Sequence, residues 1–138
     1  AGDILLYFEQ DMDMIGIGPF IPHDQTEMSG HKQGQLDMVL KTVALTRIVT
    51  KNTHLPATTA TGSIGEYDGR IKALKAGANV LMPNYTPVEF KILYAVSPGK
   101  RCVSEPAGAC AGCMEKMALS LGRYIDYSVG HSLKMTGV

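Results

Sequence analysis

Long apolar runs are missing from this sequence. No stretch of its 138 residues approaches the ~20 that a membrane-spanning helix needs. No signal-peptide pattern stands at its start, so the expected compartment is the cytoplasm. An excess of one charge is missing too: 13 basic residues face 13 acidic ones, and nothing asks for a nucleic-acid or membrane partner. Cysteine is scarce, at three residues. An odd number without an export signal argues against a disulfide framework. Internal repeats and low-complexity tracts are absent. No Ser-His-Asp order or paired carboxylates stand out, and no GxGxxG fingerprint asks for a dinucleotide. The first residue is Ala1, and an amphipathic helix with Ile4, Tyr7 and Phe8 on one face begins at once. That beginning is expected of a chain cut inside a larger fold.

What is present is a series of strand–loop–helix units in a length that suits one domain. Asp13 to Ile17 reads as a short apolar strand, followed by a loop rich in Pro, His, Gly and Gln. A helix is expected from about Leu36 to Thr50, with Leu36, Val39, Leu40 and Val43 as its stripe, widened by Met38 and Leu45. The second unit has a strand over His54 to Thr59. Its helix is capped by Asp68, carries Ile71 and Leu74 and ends at Gly77. The third unit has a strand over Ala78 to Met82, then a helix opened by a Thr86/Glu89 capping box with Pro87 in first place. Phe90, Leu93 and Tyr94 are expected to be its buried face, and Ser97 to Lys100 its stop. A last helix is expected from about Ala111 to Leu121, its Met114, Met117, Ala118 and Leu121 read as core rather than as a cofactor box. The tail after Gly122 has weak pattern and is expected to be mobile. Units in this order imply a parallel sheet with right-handed crossovers. Pattern alone leaves two α/β architectures open, part of a closed barrel or an open sheet.

In a (β/α)8 barrel the working residues sit at the C-terminal ends of strands, and the unusual residues of this sequence fall there. The first strand runs into Gly16, Ile17, Gly18, Pro19, Phe20, Ile21, Pro22 and His23, where glycines let backbone approach a ligand; a plain Gly-Pro turn has the same spacing. The second ends in Thr58, Thr59, Ala60, Thr61, Gly62 and Ser63, whose hydroxyls suit an anion but also suit a strand followed by a turn. The third ends in Met82, Pro83, Asn84 and Tyr85. Cys102, Cys110 and Cys113 have the spacing C-x7-C-x2-C. Thiolates suit iron–sulfur clusters and zinc. A structural zinc with His131 as fourth ligand is the plain alternative.

The ordered series Asp13 to His23, Val43 to Arg47, Pro56 to Ala60, Gly77 to Val80 and Met82 to Asn84 resembles the biotin synthase-related branch of the radical S-adenosylmethionine (SAM) enzymes. Within that branch it is most similar to the [FeFe]-hydrogenase maturases. The resemblance runs from about Asp3 to Arg123 and overlaps the biotin and thiamin synthesis-associated region. It implies that residues 1–123, with a cysteine loop at 102–113, are the C-terminal part, about three units, of a (β/α)8 TIM-type barrel, and that 124–138 are a tail. It implies a parent enzyme that uses SAM and a [4Fe-4S] cluster on a small-molecule or organometallic substrate in H-cluster assembly. Biotin synthase-like and methylornithine synthase-like chemistry are the alternatives within the branch, and a non-catalytic metal-binding domain is the alternative of another class.

By that resemblance Met14, Gly16, Ile17, Gly18, Pro19 and Ile21 lie against SAM, with Tyr94 near the cofactor. Thr58, Thr59 and Met82 line the substrate cavity, and Cys102, Cys110 and Cys113 hold an auxiliary iron–sulfur cluster. The C-x3-C-x2-C loop of the radical cluster is absent, so the isolated chain is expected to have no catalytic residue of its own and to be inactive. Ser97 stands where the family commonly has Tyr, and 65–68 carry an extra residue. A cut barrel exposes strand edges and an apolar face, so self-association is expected.

Overall fold

Three extended segments run side by side in one direction, and their register organises everything packed around them. The protein is seen here as a computed structural model, which describes residues 1–65, 67–94 and 104–135. Met14 bridges to His54 in parallel: the Ile15 N–H donates to the His54 carbonyl at 2.9 Å, and the His54 N–H donates to the Asp13 carbonyl at 2.9 Å. The middle segment continues into β1, Pro56–Ala57, which pairs in parallel with β2, Val80–Leu81, in the register Pro56↔Val80 and Ala57↔Leu81. The fold is thus mixed α and β with a small parallel sheet. The helices are α1 (Gly2–Glu9), α2 (Leu36–Thr50), α3 (Thr59–Gly62), α4 (Gly69–Ala76), α5 (Val88–Lys91), which runs into a 3-10 turn (Ile92–Tyr94), and α6 (Ala107–Leu119).

Side chains alternate between the faces of a strand, and here the two faces have different fates. Ile15, Leu55 and Ala57 are buried in one core with Val39 and Val43 of α2, Ala73 and Leu74 of α4, Ala78, and Met117 of α6. Ile17 and Leu81 pack against the same core. The odd-numbered positions of all three segments therefore face helices. On the other face Met14, Gly16, Gly18 and Met82 are exposed, and Thr58 and Val80 are half-buried. Pro56, in the middle segment, is buried.

The helices start and stop for local reasons. The Asp68 carboxylate caps α4 by accepting the Arg70 N–H at 3.0 Å, and it is also bridged by the Arg70 guanidinium, Nη2 to Oδ2 at 2.6 Å. Gly77 ends α4 at φ 126°. A Cβ there would lie 2.8 Å from the Arg47 Cβ, so glycine is required both by the backbone and by the approach of α2. Arg47 then ties α2 to β2: its Nε donates to the Gly77 carbonyl at 2.9 Å, and its Nη2 donates to the Asn79 Oδ1 at 3.0 Å. Partial burial pulls its pKa below the ordinary arginine value, but a guanidinium stays charged at any physiological pH.

Several sequence expectations are corrected. The strand over 54–59 ends at Ala57, because Thr58 caps a helix that Thr59 begins. Met38 and Leu45 are exposed, and the stripe of α2 runs instead through Val39, Val43, Thr46 and Thr50. Phe8 is exposed on α1. Phe90, Leu93 and Tyr94 are exposed rather than buried, while Lys91 between them is 1% exposed and donates from Nζ to the Glu105 carbonyl. The last helix begins four residues earlier than expected, which brings Cys110 into it. Its Met114, Met117 and Ala118 are buried as expected. The tail is held: Lys134 bridges Asp11, the Ser132 hydroxyl donates to Asp13 at 2.6 Å, and the Arg123 guanidinium donates to the Leu74 carbonyl at 3.1 Å. The stop expected at Ser97 to Lys100, and Glu66 of the 65–68 insertion, lie outside the described residues.

Two predictions follow from this core. Leu55, 1% exposed at its centre, should lose about 3 kcal/mol on replacement by Ala, whereas Ile48→Ala on the open side of α2 should change stability by less than about 0.5 kcal/mol; urea denaturation compares them. Thr46 is fully buried in α2 and, among the described residues, its hydroxyl has no hydrogen-bond partner. Thr46→Val keeps the shape and removes an unpaired buried group, so the same measurement should show stabilisation of about 1 kcal/mol.

Candidate functional site

The register carries the three strand ends to one level. Parallel pairing of 14 with 54 carries residue 18 toward 58, and the ladder between β1 and β2 ends at Ala57↔Leu81, one residue before Thr58 and Met82. All three belong to the face that no helix of the core covers. Contact confirms the first pair: a Cβ on Gly18 would lie 2.9 Å from the Thr58 Oγ1 and 3.8 Å from the Ala60 Cβ. Glycine here lets two strand ends approach until a hydroxyl rests against backbone. At Gly16, by contrast, a Cβ would meet nothing within 4 Å, so that stretch of backbone is open to an approaching group.

Hydroxyls concentrate at the second strand end, and they are already organised. The Thr58 Oγ1 accepts the Thr61 N–H at 3.2 Å and shares a 2.8 Å hydrogen bond with the Thr61 Oγ1. The Ser63 hydroxyl donates back to the Thr59 carbonyl at 3.0 Å. Thr58 and Thr59 are half-buried, and Thr61 is 1% exposed. Sequence reasoning included Thr61 in a hydroxyl-rich stretch without separating it from the rest. The signal that distinguishes it is spacing: a threonine three residues after an N-cap threonine returns to the same side of the helical turn.

The remaining sequence candidates fall in different places. Met14 is exposed on the open face, Ile17 leans on the core, and Pro19 and Ile21 are half-buried in the loop that follows. That loop folds on itself, with the Gly34 N–H donating to the Phe20 carbonyl at 2.8 Å. Met82 is 55% exposed immediately after β2. Tyr94 is exposed at the end of the 3-10 turn.

Of the three cysteines, Cys102 lies outside the described residues. Cys110 and Cys113 both stand on α6, where Cys110 is 3% exposed and Cys113 is exposed. The Cys110 sulfur accepts the Asn84 N–H at 3.4 Å, which ties the loop after β2 to α6. Among the described residues, no group of three or more His, Cys, Asp or Glu side chains is placed to hold a metal ion. His131, the fourth zinc ligand of the plain alternative, lies in the tail, where its backbone carbonyl receives the His54 Nε2 at 2.8 Å.

A cavity of about 970 Å³ opens elsewhere, between β2, α6 and the tail, with Val80, Leu81, Met114 and Tyr124 among its walls. Pro83 and Tyr85, just past the third strand, line it, whereas Gly18, Thr58 and Met82 do not. Among the described residues no helix is long and apolar enough to cross a membrane.

The closeness of Gly18 to Thr58 gives a test. Gly18→Ala must push the Thr58 hydroxyl off its hydrogen bond to Thr61, at a cost of about 1–2 kcal/mol. Gly16→Ala should leave the amide signals of Thr58 and Thr61 unmoved in a nitrogen-correlated NMR spectrum. Equal perturbation by both variants would mean that the two strand ends do not meet as described.

No family model matches the chain. A curated relative does: the [FeFe] hydrogenase maturase subunit HydE of Thermotoga maritima is 50% identical over 121 residues, which is 88% of this chain and 34% of the maturase. The chain thus spans about a third of the length of the curated relative it matches. The motifs at Asp13 to His23, Pro56 to Ala60 and Met82 to Asn84, now seen at strand ends, therefore stand in a chain similar to a one-third segment of HydE.

Proposed function

We propose that this chain is the C-terminal part of a HydE-type radical SAM maturase, that it supplies the last three units of a (β/α)8 barrel, and that its parent acts in assembly of the hydrogenase H-cluster. One observation carries the proposal. Gly18 meets Thr58 where two parallel segments end, Thr58 and Met82 each follow the last ladder pair Ala57↔Leu81, and the chain is 50% identical to HydE over 121 residues. A barrel wall has this character: helices on the outside, and active residues at the strand ends. An open doubly wound sheet would carry helices on both faces, and here the helices of the core share one. The relative is a hydrogenase maturase, which favours that reading over biotin synthase-like or methylornithine synthase-like chemistry.

On this reading Met14, Gly16, Ile17, Gly18, Pro19 and Ile21 offer backbone and apolar surface to SAM, with Tyr94 near the cofactor. Thr58, Thr59 and Met82 face the substrate. The open backbone at Gly16 and the small gap at Gly18 fit a heterocycle lying against the strand ends. When bound and reductively cleaved, SAM supplies the 5′-deoxyadenosyl radical. The residues of this chain bind, orient and exclude water from the reacting groups. They do not fit the [4Fe-4S] cluster that drives cleavage, because the three cysteines of the sequence have the spacing C-x7-C-x2-C and no C-x3-C-x2-C loop is present. The auxiliary cluster assigned to Cys102, Cys110 and Cys113 suits their soft thiolates. Binding there would have to draw out the Cys110 sulfur, which is buried against the Asn84 N–H.

The test is a chimera in which this chain replaces its counterpart segment in the Thermotoga maritima maturase. After anaerobic reconstitution, the chimera is expected to support maturation of an apo-hydrogenase. Thr58→Val within it should lower that yield tenfold or more, the worth of a hydrogen bond to a charged group, with SAM binding retained. A folded, cluster-loaded chimera that matures no hydrogenase, or one indifferent to Thr58→Val, would overturn the proposal.

A further inference from the structure

We infer that Thr61, which has no access to the open face, is a positioning residue that makes the Thr58 hydroxyl a pure hydrogen-bond donor and so selects an anionic group, such as a carboxylate, at the strand ends. The inference rests on the reading of Thr58 as a substrate contact and adds the residue and the rule by which that contact would discriminate.

The argument is a count of donors and acceptors. A threonine hydroxyl has one proton to give and two lone pairs to receive. The Thr58 Oγ1 already receives the Thr61 N–H at 3.2 Å. It also shares one hydrogen bond with the Thr61 Oγ1 at 2.8 Å, in which either oxygen is able to donate. Hydroxyl protons are assigned from the surrounding network, and here the network decides. Thr61 is 1% exposed, and no acceptor for its hydroxyl other than the Thr58 Oγ1 is found among the described residues. If Thr58 donated, the Thr61 proton would be buried and unpaired, which is the costlier arrangement. If Thr61 donates, both of its buried polar hydrogens are paired. Both lone pairs of the Thr58 oxygen are then filled and its own proton is left over.

That proton belongs to a half-buried side chain on the uncovered face, held against the Gly18 backbone. A side chain in place of Gly18 would occupy the space. The consequence is selectivity. A hydroxyl with both lone pairs occupied has nothing to offer a ligand N–H or O–H, and it is polarised toward giving its proton to an acceptor. An acceptor-only group such as a carboxylate fits it, and an amide presenting N–H groups gains less. The selection lies in the direction of the hydroxyl, since α3, at four residues, is too short to contribute a field of its own.

The experiment titrates acetate and, separately, acetamide into the isotopically labelled 138-residue chain, following the Gly18, Thr58 and Thr61 amides by NMR. Saturable shifts with acetate, a clear preference for acetate over acetamide and loss of both in Thr58→Val are expected. Thr61→Val should weaken acetate about threefold to tenfold and reduce the acetate-to-acetamide preference, because it frees a lone pair on Thr58, while Thr61→Ser restores both. A purely structural role for Thr61 would not shift the preference between the two ligands. If the starting protein binds no acetate, or Thr58→Val binds it unchanged, the reading of Thr58 as a contact fails. If Thr58→Val abolishes binding but Thr61→Val leaves affinity and preference unchanged, or tightens acetate, the assignment of Thr61 alone is overturned. Should Thr61→Val not fold, Thr61→Cys, with a similar volume and a weak donor, provides the same comparison.

Discussion

The parallel register of three short segments is the constraint on which the rest of this molecule depends. Because side chains alternate along a strand, a slip of one residue would turn every side chain to the opposite face. Leu55 and Ala57 would leave the helices, and Thr58 would enter a space filled by Ala73 and Leu74. The Met14–His54 bridge and the Pro56↔Val80 pair therefore decide two things together. They set which residues form the core, and they set which chemical groups stand on the open face. Stability and site geometry are read from one set of hydrogen bonds.

Strands of two residues have few ladder bonds with which to defend that register, and side chains supply the remainder. Asn79 is the chief of these. Its Oδ1 accepts the Leu55 N–H at 2.8 Å, doing for the middle segment what a neighbouring carbonyl does in a longer sheet. The same oxygen receives the Arg47 guanidinium, which also holds the Gly77 carbonyl. One arginine on α2 thus fixes the turn that launches β2, and it does so where a glycine has cleared space for it. The network further settles the form of His54. Its Nε2 lies 2.8 Å from the His131 carbonyl and must donate, which leaves Nδ1 as the acceptor facing the Asn79 Nδ2 at 3.4 Å.

Where sequence foretold structure, the information was local. The span of α2, the Asp68 cap and the Gly77 stop of α4, and the Met114 to Ala118 core stripe are each written in a few adjacent residues, and each stands as expected. Where expectation failed, the deciding partner was distant. Periodicity marks an apolar face on the helix at Val88–Tyr94 but cannot say whether anything will cover it; Phe90 and Leu93 are open, and Lys91 is buried because the Glu105 carbonyl receives its ammonium. The tail has no pattern of its own, yet Lys134, Ser132 and Arg123 find acids and carbonyls contributed by residues 11–13 and 74. The candidate site was legible as a set of strand ends. The internal order of its hydroxyls was not, because β-branched residues read as strand until one of them caps a helix.

The two ends of the sheet are built from different materials, and the difference bears on function. At the N-terminal ends side chains tie the segments to one another and to the tail. The Thr53 hydroxyl donates to the Met12 carbonyl at 2.9 Å, the Lys134 ammonium reaches the same carbonyl at 2.7 Å, and Ser132 holds Asp13. These contacts anchor the strand starts beside a small cavity lined by Asp11, Thr53 and Lys134. At the C-terminal ends the residues are Gly18, Thr58 and Met82: one without a side chain, one with a hydroxyl proton to spare and one exposed thioether. Anchoring one end allows the other to remain open, since a short parallel segment held at its start and packed along one face needs no further contact at its finish. An arrangement that concentrates cohesion at one rim and leaves unsatisfied chemistry at the other is the one a parallel β/α protein requires if its strand ends are to meet a ligand.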